Sequence, residues 1–309
     1  MKIAVIGAGA IGSLFGGYLS LVGFDVSLVV REGIRADILR VKGVHITGVK
    51  DDVMVFPKIV LDASEIGEQD LVIVCVKSYQ TKEAIMQHRA LIGEKTLVLS
   101  MQNGVGNVEQ IAEIVGQENV LAGSTTNGAY ITEDGVVHHV GDGDTLIGEL
   151  SGGTSERIEK MADCFKDTMI DVSVSEDIAK ILYTKLAINC AINPLTALLR
   201  VQNGDVFYLE NLKGIAENAV LEVADLADAK GIELDRDALV ERMFEVARLT
   251  EKNRSSMLKD VLAKRETEIE AICGAVDRFG KELNIATPYN TCLYGLIAAT
   301  SASCDKRLS

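Results

Sequence analysis

Residues 2–31 read KIAVIGAGAIGSLFGGYLSLVGFDVSLVVR, and this stretch decides the fold of the first half of the chain. Its first residues, Lys2 to Ile6, are apolar and rich in β-branched side chains, which predicts a buried strand. A glycine-rich turn follows, then a helical apolar pattern from Ile11 to Leu21 and a second apolar strand from Phe24 to Val30. A strand, a glycine turn, a helix and a strand form the unit in which α/β folds hold a dinucleotide.

The turn contains the spacing G-x-G-x-x-G in Gly7, Gly9 and Gly12. Gly7 permits the tight turn, Gly9 lets the backbone approach a pyrophosphate, and Gly12 lets the helix lie close to the strand. The phosphates would then lie at the positively polarised N-terminus of the helix. We predict cofactor contacts from Gly7, Gly9, Ala10, Ile11 and Gly12. The alternative is that the glycines only tighten the packing.

The residue that follows the second strand sets the choice between the two nicotinamide cofactors. An NAD site usually has an acidic residue there, which binds both ribose hydroxyls. Here the strand ends at Val30 and Arg31 follows. A guanidinium suits a 2′-phosphate through bidentate bonds, so the sequence favours NADP(H). A solvated surface role for Arg31 and ribose binding by Glu32 with NADH are the alternatives.

Length and composition limit the function further. The chain of 309 residues is long enough for two domains, and its net charge of −14 opposes nucleic-acid binding. The six cysteines and four histidines show no metal-ligand spacing, so we predict no metal and reduced thiols. Glycines interrupt the apolar start, which argues against a signal peptide and a membrane span. We therefore expect a cytoplasmic protein.

The order of apolar patterns predicts two domains. Buried strands at 70–77 and 95–100 alternate with helices at 81–90 and 107–115, which is typical of a doubly wound parallel sheet. Segments 129–132, 136–140 and 145–150 are predicted as antiparallel strands joined by glycine turns, and 53–60 as a β-like run. Beyond residue 175, helical patterns dominate. We predict an α/β chain with a Rossmann-type domain at 1–174 and an all-helical domain at 175–309. The helices predicted there are 178–192, 209–230, 235–250, 267–283 and 288–300.

Polar residues follow two of the predicted strands at the edge where α/β sheets bind ligands. Lys77 closes the strand LVIVCV, and Asn103 follows the strand TLVLS in a Gln-Asn-Gly sequence. Both are candidate contacts for the cofactor. The alternatives are a lysine that extends its ammonium to solvent at the sheet rim and an asparagine that only forms a turn.

A second group of polar residues begins the helical domain. Lys185, Asn189 and Asn193 are spaced four apart, so they form one polar stripe on a helix that is otherwise apolar. A partly desolvated lysine has a lowered pKa, which suits it to proton transfer near neutral pH. A structural stripe, with Asn193 capping the helix before Pro194, is the alternative.

The segment after residue 254 adds a candidate carboxylate. Thr267 and Glu270 have the spacing of a capping box, which would place Glu268 in the first turn of a helix. Glu268 would there be a surface carboxylate that complements the helix dipole, or it would turn inward to pair with Lys185.

Together these motifs resemble the ketopantoate reductase family. The resemblance spans the chain and lies in GAGAIG (7–12), VKSYQ (76–80), QNG (102–104), KLAINCAINPLTAL (185–198), SSMLKDV (255–261), TEIE (267–270) and TPYN (287–290). One departure concerns the segment that in the family usually reads Asp-x-x-Asn-Gly. Here it is Glu270-Ala-Ile-Cys273-Gly274, with a thiol in place of an amide.

The resemblance implies a Rossmann domain followed by a helical domain like that of 6-phosphogluconate dehydrogenase, with the active site in the cleft between them. It implies that Lys185 protonates the ketone oxygen and that Glu268 lies near the lysine. The implied substrate contacts are Asn189, Asn193 and Ser256, and the implied cofactor contacts are Arg31, Lys77 and Asn103.

The expected reaction is NADPH-dependent reduction of 2-dehydropantoate to pantoate, in pantothenate and coenzyme A biosynthesis. The alternatives are a related 2- or 3-hydroxyacid dehydrogenase that acts on another small oxo acid, and a non-catalytic NADP(H) sensor. We expect a small oxo acid as the partner, no nucleic acid, no membrane, and a homodimer as one possible assembly.

Overall fold

Strand β1 (Lys2–Ile6) is a central strand of the first sheet, as its apolar sequence requires. The computed structural model describes residues 1–50 and 52–303 of the chain. In it, Ile3, Ala4, Val5 and Ile6 are buried, and β1 pairs in parallel with strands on both sides. These neighbours are β2 (Asp25–Val29) and β6 (Leu71–Val74). A parallel strand in the middle of a sheet is usually covered on both faces, so both faces carry apolar residues. This explains why apolar and polar residues do not alternate along β1.

The large sheet has eight strands. Besides β1, β2 and β6 it contains β5 (Lys58–Val60), β7 (Leu97–Ser100), β8 (Val120–Thr125), β11 (Thr145–Gly148) and β12 (Val172–Val174). Their order is β12-β11-β8-β7-β6-β1-β2-β5, and the six strands from β8 to β5 are mutually parallel. This is the doubly wound order, and its direction reverses between β1 and β6. The predicted fold class is therefore confirmed.

Five helices accompany this sheet: α1 (Ala10–Leu21), α2 (Ile34–Lys42), α3 (Thr81–Gln87), α4 (Asn107–Val115) and α5 (Glu156–Asp163). Helix α2 was not predicted from the sequence. Only Ala36 and Leu39 of α2 are buried, and four of its nine residues are charged. Its apolar face is too narrow to produce a clear helical period.

A second sheet has four strands: β3 (Val44–Gly48), β4 (Val53–Val55), β9 (Gly128–Ile131) and β10 (Val137–Gly141), in the order β4-β3-β10-β9. Strands β9 and β10 form the predicted antiparallel pair. The antiparallel strand predicted at 145–150 is present as β11, but it pairs with β8 of the large sheet and not with the β9–β10 pair. The run at 53–60 also divides, since β4 and β5 lie in different sheets. Alternating apolar and polar residues and glycine turns indicate a strand, but they do not specify the strand with which it pairs.

The chain divides into two compact units, which we describe separately. The first contains Met1–Gln102 and Asn107–Ile178, and the second contains Asn103–Gly106 and the chain from Ala179 onward. The Val105 N–H donates to the carbonyl of Ala271 at 3.1 Å, which ties the short segment to the second unit. The predicted boundary at residue 174 stays a prediction. Cys304 lies outside the described residues.

Helices form the second unit: α6 (Ile178–Leu199), α7 (Asp205–Tyr208), α8 (Glu210–Ala229), α9 (Arg236–Leu249), α10 (Ser256–Leu262), α11 (Cys273–Leu283) and α12 (Pro288–Ala302). The predicted end of the first helix at Ile192 was wrong, because α6 continues through Pro194 to Leu199. Asn193 is therefore an interior residue of α6 and not a cap.

The predicted capping box was also wrong. Helix α11 begins at Cys273, and a short 3₁₀ turn, Ile269–Ala271, precedes it. The Thr267 hydroxyl is buried without a hydrogen-bond partner among the described residues. The spacing of Thr267 and Glu270 matches the box, but the backbone between them does not form the first turn of a long helix.

The TPYN motif has a structural use in the second unit. The buried carboxylate of Glu222, on α8, accepts hydrogen bonds from the N–H groups of Tyr289 and Asn290 at 2.7 and 2.8 Å. It also accepts from Nδ2 of Asn290 at 2.8 Å. A carboxylate satisfies the free N–H groups at the start of a helix and complements its dipole. Glu222 thus anchors the start of α12 to α8.

No helix among the described residues combines the length and the apolar character that crossing a membrane would require.

Candidate active site

The glycine turn brings α1 directly against the end of β1. Gly7 has a φ of +98°, a conformation that favours glycine, and its N–H donates to the carbonyl of Val29 at 3.0 Å. A Cβ atom at Gly12 would lie 2.0 Å from the carbonyl oxygen of Gly7. Any side chain at position 12 would therefore push the first turn of α1 away from the strand.

Gly9 differs from its two neighbours in the motif. A Cβ placed there would meet no atom within 4 Å, so the space beside it is open. Gly9 is also the residue immediately before α1, and the first N–H groups of a helix have no partner within the helix. Ala10 and Ile11 form the beginning of this first turn. An open space in front of free N–H groups suits a phosphate, so the turn fits a dinucleotide.

Arg31 and Lys77 follow β2 and β6, the two strands beside β1. The Arg31 side chain is exposed and lies 3.5 Å from the carboxylate of Glu83, which is also exposed. Such a surface pair contributes only about 0–1 kcal/mol, so it holds Arg31 weakly. Lys77 is half-buried and precedes a short 3₁₀ turn, Ser78–Gln80. Glu32 is exposed.

Arg35, which the sequence patterns did not single out, contacts the glycine turn from the first turn of α2. Its guanidinium donates to the carbonyl of Ala8 at 3.3 Å, to the hydroxyl of Ser13 at 2.9 Å and to the carbonyl of Gly135 at 2.7 Å. Recognition of α2 as a helix was the signal that could have found Arg35. Arg35 lies four residues after Arg31, in the first turn of that helix, and from there its side chain reaches the glycine turn.

The predicted polar stripe is present on α6 in the second unit. Lys185 and Asn189 are half-buried, and Asn193 is buried. The residues around them in sequence belong to the core of this unit, with Leu186, Ala187, Cys190, Ala191 and Ile192 all buried.

The environment of Lys185 changes its acidity. Burial lowers the pKa of Lys185 from 10.5 to about 8, and the negative charge of Glu268 opposes this by raising it. Glu268 is buried, with 6% of its surface exposed. The inward orientation of Glu268 is therefore correct, and the surface alternative was wrong. A lysine with a pKa near 8 can give up and regain a proton around neutral pH.

Asn103 joins this group from the short segment that belongs to the second unit. Its side-chain Nδ2 donates to the Glu268 carboxylate at 3.3 Å. The next residue, Gly104, has a φ of +83°, and a Cβ there would lie 2.2 Å from the carbonyl oxygen of Ala271. The Asn-Gly pair is thus a close-packed turn that also presents an amide to Glu268, so Asn103 does more than form a turn. Its contact with a cofactor stays a prediction.

Pro194 leaves one backbone carbonyl of α6 without its usual partner. Proline has no N–H, so the carbonyl four residues earlier, on Cys190, loses its helical hydrogen bond. The thiol of Cys273 lies 3.9 Å from that carbonyl and donates to it. Both cysteines are fully buried, and burial together with the Cys273 thiol raises the pKa of Cys190. The family departure at position 273 therefore lies against the helix that carries Lys185.

Ser256 is the exposed first residue of α10. The buried cap before it is Ser255, whose hydroxyl accepts from the N–H of Leu258 at 3.0 Å. Thr196 donates to the Ser255 hydroxyl at 2.7 Å. Because Thr196 lies one turn beyond Asn193 on α6, this bond fixes α10 relative to the polar stripe.

Among the described residues, no group of three or more His, Cys, Asp or Glu side chains could hold a metal ion.

Comparison with family models identifies matches over most of the chain. A model described as ketopantoate reductase PanE/ApbA matches residues 3–152, and one described as its C-terminal domain matches residues 177–301.

Individual proteins match over their full length. A 2-dehydropantoate 2-reductase from Pyrococcus abyssi is 37% identical over 98% of each chain, and one from Vibrio cholerae is 34% identical over 99% of this chain and 100% of its own. A solved structure of D-mandelate dehydrogenase with NADH and anilino(oxo)acetate has a TM-score of 0.93 at 28% identity and covers 99% of both chains. A ketopantoate reductase from Ralstonia eutropha has a TM-score of 0.91 at 27% identity and covers 99% of this chain and 100% of its own.

The contact between Cys273 and the Cys190 carbonyl predicts a stability effect. In Cys273→Ala the carbonyl loses its donor and a small cavity forms, so we expect the free energy of unfolding to fall by about 1–2.5 kcal/mol. Urea denaturation measures this change. The exposed Cys292 provides the control, and Cys292→Ala should change stability by less than about 0.5 kcal/mol. Equal effects of the two substitutions would contradict the role given to Cys273.

Proposed function

Since this chain belongs to the ketopantoate reductase PanE/ApbA family, we propose that it reduces 2-dehydropantoate to pantoate with NADPH. The single observation that carries the proposal is the placement of Lys185 on an otherwise apolar helix, with the buried carboxylate of Glu268 as its charged neighbour; this burial lowers the pKa of Lys185 to about 8. An ammonium that exchanges its proton near neutral pH is the group that reduction of a ketone requires.

Reduction of the keto group adds a hydride to its carbon and leaves negative charge on its oxygen. A bound reduced nicotinamide would supply the hydride. The Lys185 ammonium first stabilises the developing charge and then transfers a proton to the oxygen, which yields the alcohol and a neutral amine. The amine regains its proton from solvent, and the negative charge of Glu268 favours that step because it raises the pKa of Lys185.

The substrate is proposed to bind along the polar stripe. Asn189 and Asn193 would donate and accept hydrogen bonds at the keto and hydroxyl groups, and Ser256 would bind the carboxylate. Asn193 is buried in a part of α6 whose neighbouring residues are apolar. Its amide can both donate to and accept from a small oxo acid that carries a hydroxyl group.

NADPH is the proposed cofactor. The glycine turn with Gly7, Gly9 and Gly12 would hold the pyrophosphate, and the weakly paired Arg31 would bind the 2′-phosphate. Lys77 and Asn103 are proposed to contact the nicotinamide side. A place in pantothenate and coenzyme A biosynthesis, a cytoplasmic location and a homodimer remain predictions.

A second candidate is a 2-hydroxyacid dehydrogenase that uses NADH with another oxo acid. It is favoured by the similarity to D-mandelate dehydrogenase, at a TM-score of 0.93. Steady-state rates with 2-dehydropantoate, benzoylformate and an unbranched 2-oxo acid, each with NADPH and with NADH, distinguish the two. We expect the highest kcat/KM for 2-dehydropantoate with NADPH. A higher value for either other acid would establish the second candidate instead.

The role of Lys185 predicts a selective loss of turnover. Lys185→Ala removes the proton donor, so we expect kcat to fall by about 10³-fold or more while NADPH still binds. Calorimetric titration of NADPH checks that the cofactor site is intact. Lys180→Ala, at an exposed position on the same helix, is the control and should retain wild-type kcat. Turnover close to wild type in Lys185→Ala would refute the assignment.

The pKa of Lys185 predicts the pH dependence of the reaction. Reduction needs the ammonium, so kcat/KM should be constant below pH 8 and fall about tenfold per unit above it. Glu268 raises this pKa, so Glu268→Gln should move the falling limb to lower pH. The exposed neighbour Glu270 is the control, and Glu270→Gln should leave the limb in place. A limb that stays in place or moves to higher pH in Glu268→Gln would show that the two groups do not interact as described.

A further inference from the structure

Arg35 connects three separate segments of the first unit through one guanidinium. It donates from Nε to the carbonyl of Ala8 in the glycine turn at 3.3 Å and from Nη2 to the hydroxyl of Ser13 on α1 at 2.9 Å. It also donates from Nη1 to the carbonyl of Gly135, in the turn between β9 and β10, at 2.7 Å. Three donors in one rigid plane fix the positions of three acceptors, which a lysine ammonium on a flexible stem does less well.

The positive charge of Arg35 is not neutralised by these contacts. All three acceptors are uncharged oxygens, and Arg35 forms no ion pair with a carboxylate of the described residues. Burial lowers the pKa of Arg35. A guanidinium remains charged at every physiological pH. A half-buried charge whose partners are neutral is costly, so its retention beside the glycine turn needs an explanation.

The geometry of the peptide bond provides that explanation. The Ala8 carbonyl and the Gly9 N–H belong to one planar trans peptide, so they point in opposite directions. Arg35 and the hydroxyl of Ser13 both donate to this carbonyl, at 3.3 and 3.1 Å. They thereby fix the direction of the Gly9 N–H, which points away from Arg35. The space beside Gly9 is open, as a phosphate site requires.

We infer that Arg35 is a positioning residue of the dinucleotide site, which holds the Ala8–Gly9 peptide in the orientation that a pyrophosphate needs. This inference rests on the proposed function, because it assumes that the glycine turn binds a nicotinamide dinucleotide. The pyrophosphate is common to NADPH and NADH. Loss of Arg35 should therefore weaken both cofactors by the same factor, whereas loss of Arg31 should weaken only the one with a 2′-phosphate.

Calorimetric titration of the full-length chain with NADPH and with NADH tests this inference. Arg35→Lys and Arg35→Gln should each raise both dissociation constants about tenfold and leave their ratio within about twofold of wild type. Arg31→Ala should raise the constant for NADPH alone. Arg40→Gln changes an exposed arginine on the same helix and should change neither constant.

Ser13→Ala keeps Arg35 and removes the second donor to the Ala8 carbonyl, so it should weaken both cofactors by a smaller factor. This variant decides the question if the Arg35 variants do not fold. Wild-type binding of both cofactors in a folded Arg35 variant, with only a lower Tm, would overturn the inference. A loss confined to NADPH would also overturn it, because Arg35 would then act at the 2′-phosphate. If the wild-type chain binds neither cofactor, the proposed function itself fails.

Discussion

Helix α1 reaches the end of β1 only because position 12 has no side chain. A Cβ there would lie 2.0 Å from the carbonyl of Gly7, closer than any two such atoms can approach. This contact places the free N–H groups of the first turn over the carboxyl edge of the central strand. Since β2 and β6 flank that strand in parallel, Arg31 and Lys77 reach the same edge of the sheet. The proposed cofactor site depends on this one close approach.

A comparable constraint acts on α6 in the second unit. The helix is apolar enough to be packed into the core, yet it carries Lys185, Asn189 and Asn193 on one stripe. The low polarity around Lys185 lowers its pKa, and the charge of Glu268 limits that decrease. Burial and a nearby carboxylate thus act in opposite directions and bring the pKa of this lysine to about 8. The same balance of desolvation and charge is what adjusts many general acids to neutral pH.

Local sequence patterns predicted much of the fold. They failed where a structural feature depends on a contact with another element of the chain. The continuous apolar runs of β6 and β7 can only be buried strands, and helix α4 was predicted with its observed bounds. The pairing of β11 with β8 was not predictable, since alternation marks a strand without naming its neighbour. A proline often ends a helix, but α6 continues through Pro194, and a thiol from α11 donates to the carbonyl that the proline leaves without its helical partner.

The glycine turn, the stripe on α6 and the division into a sheet-rich and a helical part could be predicted from the sequence, because spacing along the chain encodes each of them. Three features became visible only in the folded chain: Glu268 turns inward, Asn103 donates to it, and Arg35 donates to the carbonyl of the Ala8–Gly9 peptide. Each of these contacts joins residues from different elements. Helical and strand periodicity describe one element at a time, so they hold no information about such pairs.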